Sequence, residues 1–316
     1  MLNAEQDKVF YGPGNTLKKI IIGIDAIFTR IRDLFRANQY DYIFIYRDAF
    51  FFGILFEWLF KQTKAKLVFD FDDSIWLHDE AANQSFFQKL KNPAKTGTII
   101  SYCDLVVAGN EYLANYAKGF NQNVVIVPTT IDTTQYQRKE VTKSKSGVCI
   151  GWSGSFSTIK HFESALEPLK VLKEKYGDAI YFKVIGDGSY SNEALDIQGL
   201  PWKSATEVED LCEIDVGIMP LPDDDWSKGK CGLKGLQYMA FGIPTIMSPV
   251  GVNADIIQDG ENGMLASTTE EWVAKLSQLI DDAALRQRIG EAGRQTVLKD
   301  FSVEANKEKW LSVFSG

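Results

Sequence analysis

From residue 40 onward the chain repeats one pattern, a short run of β-branched and aromatic residues followed by a stretch of helix length. YDYIFIY (40–46), KLVFDF (66–71), DLVVA (104–108) and NVVIV (123–127) are continuously apolar and do not alternate. That composition fits strands covered on both faces, as in a parallel sheet whose neighbours are joined by crossover helices. A second array follows: VCIGWS (148–153), AIYFKVIG (179–186), DVGIMPL (215–221) and IPTIMS (243–248). Helices are expected over about 160–175, 206–213 and 233–241, with right-handed crossovers. Between the arrays, DTTQYQRKEVTKSKSG (132–147) is rich in Thr, Lys and Ser and reads as a linker. The pattern predicts an α/β chain with two Rossmann-like domains in tandem, 1–140 and 141–300. Ligands of such sheets bind at the carboxyl ends of the strands.

A chain of 316 residues is long enough for two such cores. Its net charge of -8 and pI near 5.0 argue against a broad hold on nucleic acid, which needs a basic face. The four cysteines lie far apart without a CxxC pair, and His78 and His161 are the only histidines, so no metal site is expected. Scattered thiols of this kind suit a reducing, cytoplasmic setting. The start, MLNAEQDKVF, is polar and carries no cleavable signal pattern. The most apolar run, AFFFGILFEWLF (49–60), is too short to span a bilayer and contains Glu57. It reads as a buried helix, with peripheral contact at the inner membrane face as the functional alternative.

Two strand ends carry residues suited to an anion. After VCIGWS, Gly154 and Ser155 are followed by Lys160 at the opening of the next helix, an arrangement that also suits an ordinary βα turn with a solvated lysine. After DVGIMPLP comes DDWSKGKCGLKGLQYMAFGIP (224–244). Here Gly229 and Gly232 permit a sharp turn, and Cys231, Gly232 and Leu233 would present free amides at a helix start, where the dipole favours a phosphate. Lys228, Lys230 and Lys234 add positive charge, and Gly242 and Pro244 end the helix. The aspartates of 223–225 and the DFDDS of 70–74 read as polar loop residues and not as metal ligands. Trp202 reads as edge packing, with a position near a nucleotide base as the alternative. Gly12–Pro13–Gly14 reads as a turn.

The order P-L-P … G-L-K-G-L-Q-Y-M-A-F-G-I-P-T-I-M-S-P-V-G … D-I-I-Q-D-G-E-N-G-M-L resembles the donor half of glycosyltransferase family 4, the glycosyl transferases group 1 of GT-B fold. The resemblance runs from about residue 148 to 314 and includes the terminal F-S-x-E … W segment. KLVFDFDDSIWL and VVIVPTTIDTTQY also resemble first-domain segments of that family. It implies a GT-B fold with a terminal helix (301–316) packing back towards the first domain. That first domain is expected to be shortened, without its usual opening strand and glycine-rich loop, or the chain to be a fragment.

The resemblance further implies a retaining transfer from a nucleotide-diphosphate sugar, a substrate and not a cofactor, to a glycan or lipid-linked acceptor in surface polysaccharide or glycoconjugate synthesis. No metal is implied. The implied donor residues are Gly154, Ser155, Lys160, Lys230, Cys231, Gly232, Leu233 and Gln237, and the implied catalytic ones Asp72, Lys160 and Lys230. Three positions depart from the family. Ser155 replaces a phosphate-binding arginine, while Gly229 and Gln237 replace the two glutamates of Glu-x7-Glu, which touch the transferred sugar and the ribose hydroxyls. Asp223, Asp224 or Asp225 could replace the first glutamate, and Lys228 or Lys230 the arginine. A degenerate module that binds nucleotide sugar without turnover is the alternative function.

Overall fold

The apolar runs become strands because helices cover them. The structure, a computed structural model, describes residues 6, 9, 14–50, 53–77 and 92–315. His78, Gly12 and Pro13, on which the sequence bore, lie outside them. The chain divides into two compact units. One holds the residues before Asp72 with Ile75–Ala108 and Leu113–Ile126; the other holds Asp72–Ser74, Gly109–Tyr112 and everything from Val127.

In chain order the first elements are α1 (Thr16–Ala37), β1 (Tyr42–Tyr46), α2 (Leu55–Lys61), β2 (Lys66–Phe71), α3 (Lys95–Tyr102), β3 (Leu105–Ala108), α4 (Glu111–Lys118) and β4 (Val124–Ile126). The four strands form one parallel sheet in the order β1-β2-β3-β4, with Phe44 beside Val68 and Phe69 beside Val106. The 49–60 run supplies α2, in which Phe56 and Phe60 are buried, as are Ala49 and Phe50 before it. Glu57 is fully buried there, and its carboxyl accepts the Ala49 N–H at 2.9 Å. Burial pushes that carboxyl's pKa up.

The second unit contains β5 (Val148–Ser153), α5 (Ile159–Glu163), α6 (Leu166–Tyr176), β6 (Ile180–Gly186), a two-residue hairpin of β7 (Ser191–Asn192) and β8 (Ile197–Gln198), β9 (Leu200–Pro201), α7 (Glu207–Cys212), β10 (Val216–Met219), α8 (Asp225–Lys228), α9 (Leu233–Ala240) and β11 (Thr245–Met247). Then come α10 (Asn253–Ile256), β12 (Met264–Leu265), α11 (Thr269–Asp281), α12 (Ala283–Thr296) and α13 (Val303–Val313). Its main sheet is parallel, in the order β12-β11-β10-β5-β6-β9. The inner strands are packed on both faces. Ile150, Val184 and Ile246 meet Leu169 and Leu276 on one, and Cys149 and Ile185 meet Tyr238 and Phe241 on the other.

The single helix expected over 160–175 is two. Pro168 has no N–H to give the Ser164 carbonyl, so a helix running through that turn would lose a bond and meet the proline ring. The chain breaks there instead, and Ser164 turns its hydroxyl onto the His161 carbonyl at 2.6 Å.

Residues 132–147 are pinned to the second unit. The Ser144 N–H donates to Glu213 at 2.8 Å, and Lys143 pairs with Asp215. The chain before α13 also belongs there, with Ile131 N–H donating to the Phe301 carbonyl at 2.8 Å and Val303 N–H to the Ile131 carbonyl at 3.1 Å. All four cysteines are buried free thiols. Among the described residues, no helix is long and apolar enough to cross a membrane, and no acidic, histidine and cysteine cluster could hold a metal ion.

Candidate functional site

The chain leaves β5 in one direction, through β6 to β9, and then returns to the other flank of β5 for β10, β11 and β12. Strand order therefore reverses between β5 and β10, which pair directly, with Val216 beside Ile150. Loops leaving two parallel strands in opposite directions open a crevice at their carboxyl ends, the usual ligand position in such sheets. The two loops here are the ones that begin at Gly154 and at Pro220.

At the β10 end, α9 opens on Gly232, whose φ of 72° lies in the left-handed region. A Cβ at this position would also run into Ile256 Cδ1, so both backbone and packing require glycine. First-turn amides have no acceptor within their own helix. Those of Cys231, Gly232 and Leu233 find none elsewhere among the described residues.

The turn before α9 is held from behind. Asn110, itself buried, donates its side-chain amide to the carbonyls of Lys228, Gly229 and Lys230 at 3.4, 3.3 and 3.0 Å. The Cys231 thiol donates to the Asp72 carbonyl at 3.3 Å, and burial raises its pKa to about 12, so it stays protonated. With its carbonyls drawn to Asn110, the turn leaves the amides of 231–233 for a ligand.

The lysines do not act alike. Lys230 pairs with Asp73 at 2.8 Å and lies over the Trp226 ring. Lys228 pairs with Asp223 and Asp225, at 3.4 and 3.6 Å, while Asp224 caps α8 by accepting the Ser227 N–H at 2.7 Å. Asp223 and Asp225 are thus engaged by Lys228, Asp225 also by Tyr112, and Asp224 by the α8 cap. Asp72 meets the turn through its carbonyl, and the carboxylate that reaches Lys230 is that of Asp73. Lys160 is exposed in the first turn of α5. Ser155 spends its hydroxyl in a cap with Ser157 and Thr158, at 2.9 and 3.1 Å. Among the described residues, neither Gly154 nor Ser155 bonds to 228–237; they join the α9 turn only through the β5–β10 pairing.

Gly229 lies where a side chain has no room. A Cβ there would strike Ser74 Oγ and stand 2.9 Å from Ser74 N. A glutamate cannot be accommodated while the 72–74 segment holds this place.

One turn into α9, Gln237 is buried within a polar cluster that the sequence left unassembled. Its amide donates to Glu207 Oε1 at 3.2 Å and to Tyr136 Oη at 2.9 Å, while its carbonyl accepts Lys234 Nζ at 2.9 Å. Tyr136 donates to Glu207 Oε2 and Trp202 Nε1 to Glu207 Oε1, each at 2.9 Å. Burial alone would raise the Glu207 pKa, but the donors Trp202 and Tyr136 and the charge of Lys234 hold it below the usual carboxylate value. Burial pushes the Tyr136 hydroxyl up to about 12, assisted by the Glu207 charge. The cluster therefore carries a fixed carboxylate beside an indole that is 46% exposed. Glu207 and Tyr136 were missed because they lie on separate segments with no spacing to link them.

The model for "Glycosyl transferases group 1" matches residues 133–296, just over half of the chain. The chain belongs to this family. Among similar proteins, the sulfoquinovosyl transferase SQD2 of Arabidopsis thaliana is 30% identical over 149 residues, covering 43% of this chain and 28% of its own length. The uncharacterized glycosyltransferase MJ1178 of Methanocaldococcus jannaschii is 24% identical over 231 residues, covering 70% and 62%. The chain thus spans less than two thirds of either relative. Among solved structures, Anabaena Alr3699/HepE in complex with UDP and glucose superposes with a TM-score of 0.67 at 13% identity, covering 91% of this chain and 81% of that one. The fold is that of the GT-B glycosyltransferases. In this group 1 chain, the matched span contains the β5–β10 crevice, the α9 turn and the Gln237 cluster.

Proposed function

We propose that the chain is a retaining glycosyltransferase that moves a sugar from a nucleotide-diphosphate sugar to a hydroxyl of a glycan or lipid-linked acceptor, in polysaccharide or glycoconjugate synthesis. The observation that carries this reading is the turn at 231–233, with three free amides at a helix start beside the β5–β10 switch point. The diphosphate sits on these amides and draws Lys160 from the β5 loop. Trp202 offers its exposed ring to the base, and the Glu207–Gln237 pair faces the ribose. As the bond from sugar to phosphate breaks, negative charge grows on the leaving diphosphate, and amides already oriented stabilise it without reorganisation. Asp72 and Asp73 lie against the same turn, Asp72 on the acceptor side and Asp73 holding Lys230 in place.

The second reading, a module that binds nucleotide sugar without turnover, draws on Gly229, where Ser74 fills the place of a sugar-contacting carboxylate. Nucleotide release measured over a panel of UDP-, GDP- and ADP-sugars separates the two. Release that depends on an acceptor supports transfer, with the anomeric configuration of the product testing retention. Saturable binding with no release under any acceptor supports the second reading, and no binding at all removes both.

A further inference from the structure

We propose that the outward face of α1 is a docking surface for an anionic lipid bilayer. This helix packs inward through Lys19, Ile22, Ala26 and Ala37. On its opposite side eight large apolar residues stand in solvent, and the most open of them, Leu17, Ile21, Phe28 and Phe35, are 72, 57, 66 and 82% exposed. At 100° per residue all eight fall within an arc of about 120°, one continuous stripe along the helix.

The occupant is argued from charge. The chain carries 34 basic and 42 acidic residues, yet α1 reverses that balance, with five Lys and Arg against two Asp. Lys19 is buried and Arg30 pairs with Asp33 at 3.2 Å. The other three, Lys18, Arg32 and Arg36, are exposed and project along one flank of the stripe, with Asp25 as the only acidic residue there. An apolar stripe with a basic flank is the pattern of a helix lying in the plane of an anionic interface, rings below the headgroups and cations among them. Seven charges in 22 residues rule out spanning and suit lying flat.

A second copy is the weaker match. Under either two-fold arrangement, the basic flank would meet itself, with Asp25 as its one acid against three cations, or the opposite flank of Thr16, Gly23 and Leu34, which carries no acid. The sequence offered membrane contact on 49–60 as the alternative to a buried helix; among the described residues of that run, Leu55 and Trp58 are exposed on α2, which packs against α1.

The inference rests on α1 alone and is independent of the proposed transfer. It is tested by sedimenting the full chain with phosphatidylcholine–phosphatidylglycerol vesicles and with phosphatidylcholine alone. Binding is expected to the anionic vesicles only and to weaken with salt. The Arg32→Glu/Arg36→Glu variant should lose about five-fold in partition for each charge removed. Phe28→Ser/Phe35→Ser should lose binding outright, with unchanged circular dichroism because both rings already face solvent. Equal partition onto neutral vesicles, no partition at all, or a dimer in sedimentation equilibrium that Phe35→Ser dissociates would each overturn the proposal.

Discussion

The side-chain amide of Gln237 donates to Glu207 Oε1 at 3.2 Å, so the carboxylate at this end of α9 comes from α7 and not from α9 itself. A glutamate at 237 would set two carboxylates at that separation, and like charges so close cannot both stay ionised cheaply. Gln237→Glu should therefore destabilise the chain by about 1–3 kcal/mol. Glu207→Gln should cost nucleotide affinity about ten-fold if the carboxylate meets the ribose, roughly one charge-assisted hydrogen bond. The exchange Glu207→Gln/Gln237→Glu restores one acid and one amide. Recovery of melting temperature in the double variant, relative to Gln237→Glu alone, is the measurement that checks the pairing.

Gly229 and Gly232 fail for different reasons when substituted. Gly229→Ala meets Ser74, including its backbone nitrogen, so the 72–74 segment must move; a loss of about 1–3 kcal/mol in urea unfolding is expected. Gly232→Ala adds left-handed strain of about 1–2 kcal/mol to its contact with Ile256. It should also abolish nucleotide binding by calorimetry, because the amides it displaces belong to the cradle.

What the sequence made legible follows from physical range. Continuous runs such as VCIGWS and KLVFDF declared buried strands, because burial on both faces writes itself into consecutive residues. The α9 turn was legible for the same reason, with glycines, amides and helix start lying within a few positions. The break at Ser164 was hidden in a helical pattern, although Pro168 marked it. Contacts from distant segments left no local trace: nothing in GNEYL announces that Asn110 holds three carbonyls over a hundred residues away, and nothing in TEVED announces that Glu207 meets Gln237. The two-residue strands β9 and β12 are too short for any periodicity to register.

Lys160 and Lys230 should respond differently to truncation. Lys160 is exposed in the first turn of α5, where the diphosphate is proposed to draw it, so Lys160→Ala should weaken nucleotide-diphosphate binding about ten-fold. Lys230 is paired with Asp73, both largely buried, and its removal leaves a carboxylate without its cation. Lys230→Ala should lower the melting temperature, and Asp73→Asn/Lys230→Ala should regain part of it. Unchanged nucleotide affinity in Lys160→Ala would move the diphosphate away from the β5 loop.

Asn110 supplies the one amide that serves three successive carbonyls. Asn110→Ala removes that donor, at about 1–3 kcal/mol for each carbonyl that neither water nor another donor reaches. Asn110→Asp is expected to be worse, since a carboxylate presents only acceptors to the same three oxygens. Both should reduce nucleotide binding more than a variant of equal instability placed elsewhere in the second unit. A melting curve paired with calorimetry reads the two effects apart.

Glu213 is buried, and burial alone would raise its pKa. Instead Lys183 at 2.7 Å, with the Ser144 N–H and the hydroxyls of Ser144 and Tyr181, holds it down at about 2. A carboxylate whose folded pKa is depressed adds stability above its unfolded value near 4.5, and loses it as pH falls towards 2. The shift corresponds to something on the order of 3 kcal/mol. Urea unfolding followed from pH 6 down to pH 3 should show stability falling below about pH 4.5. In Glu213→Gln that slope should be shallower, because the side chain no longer titrates.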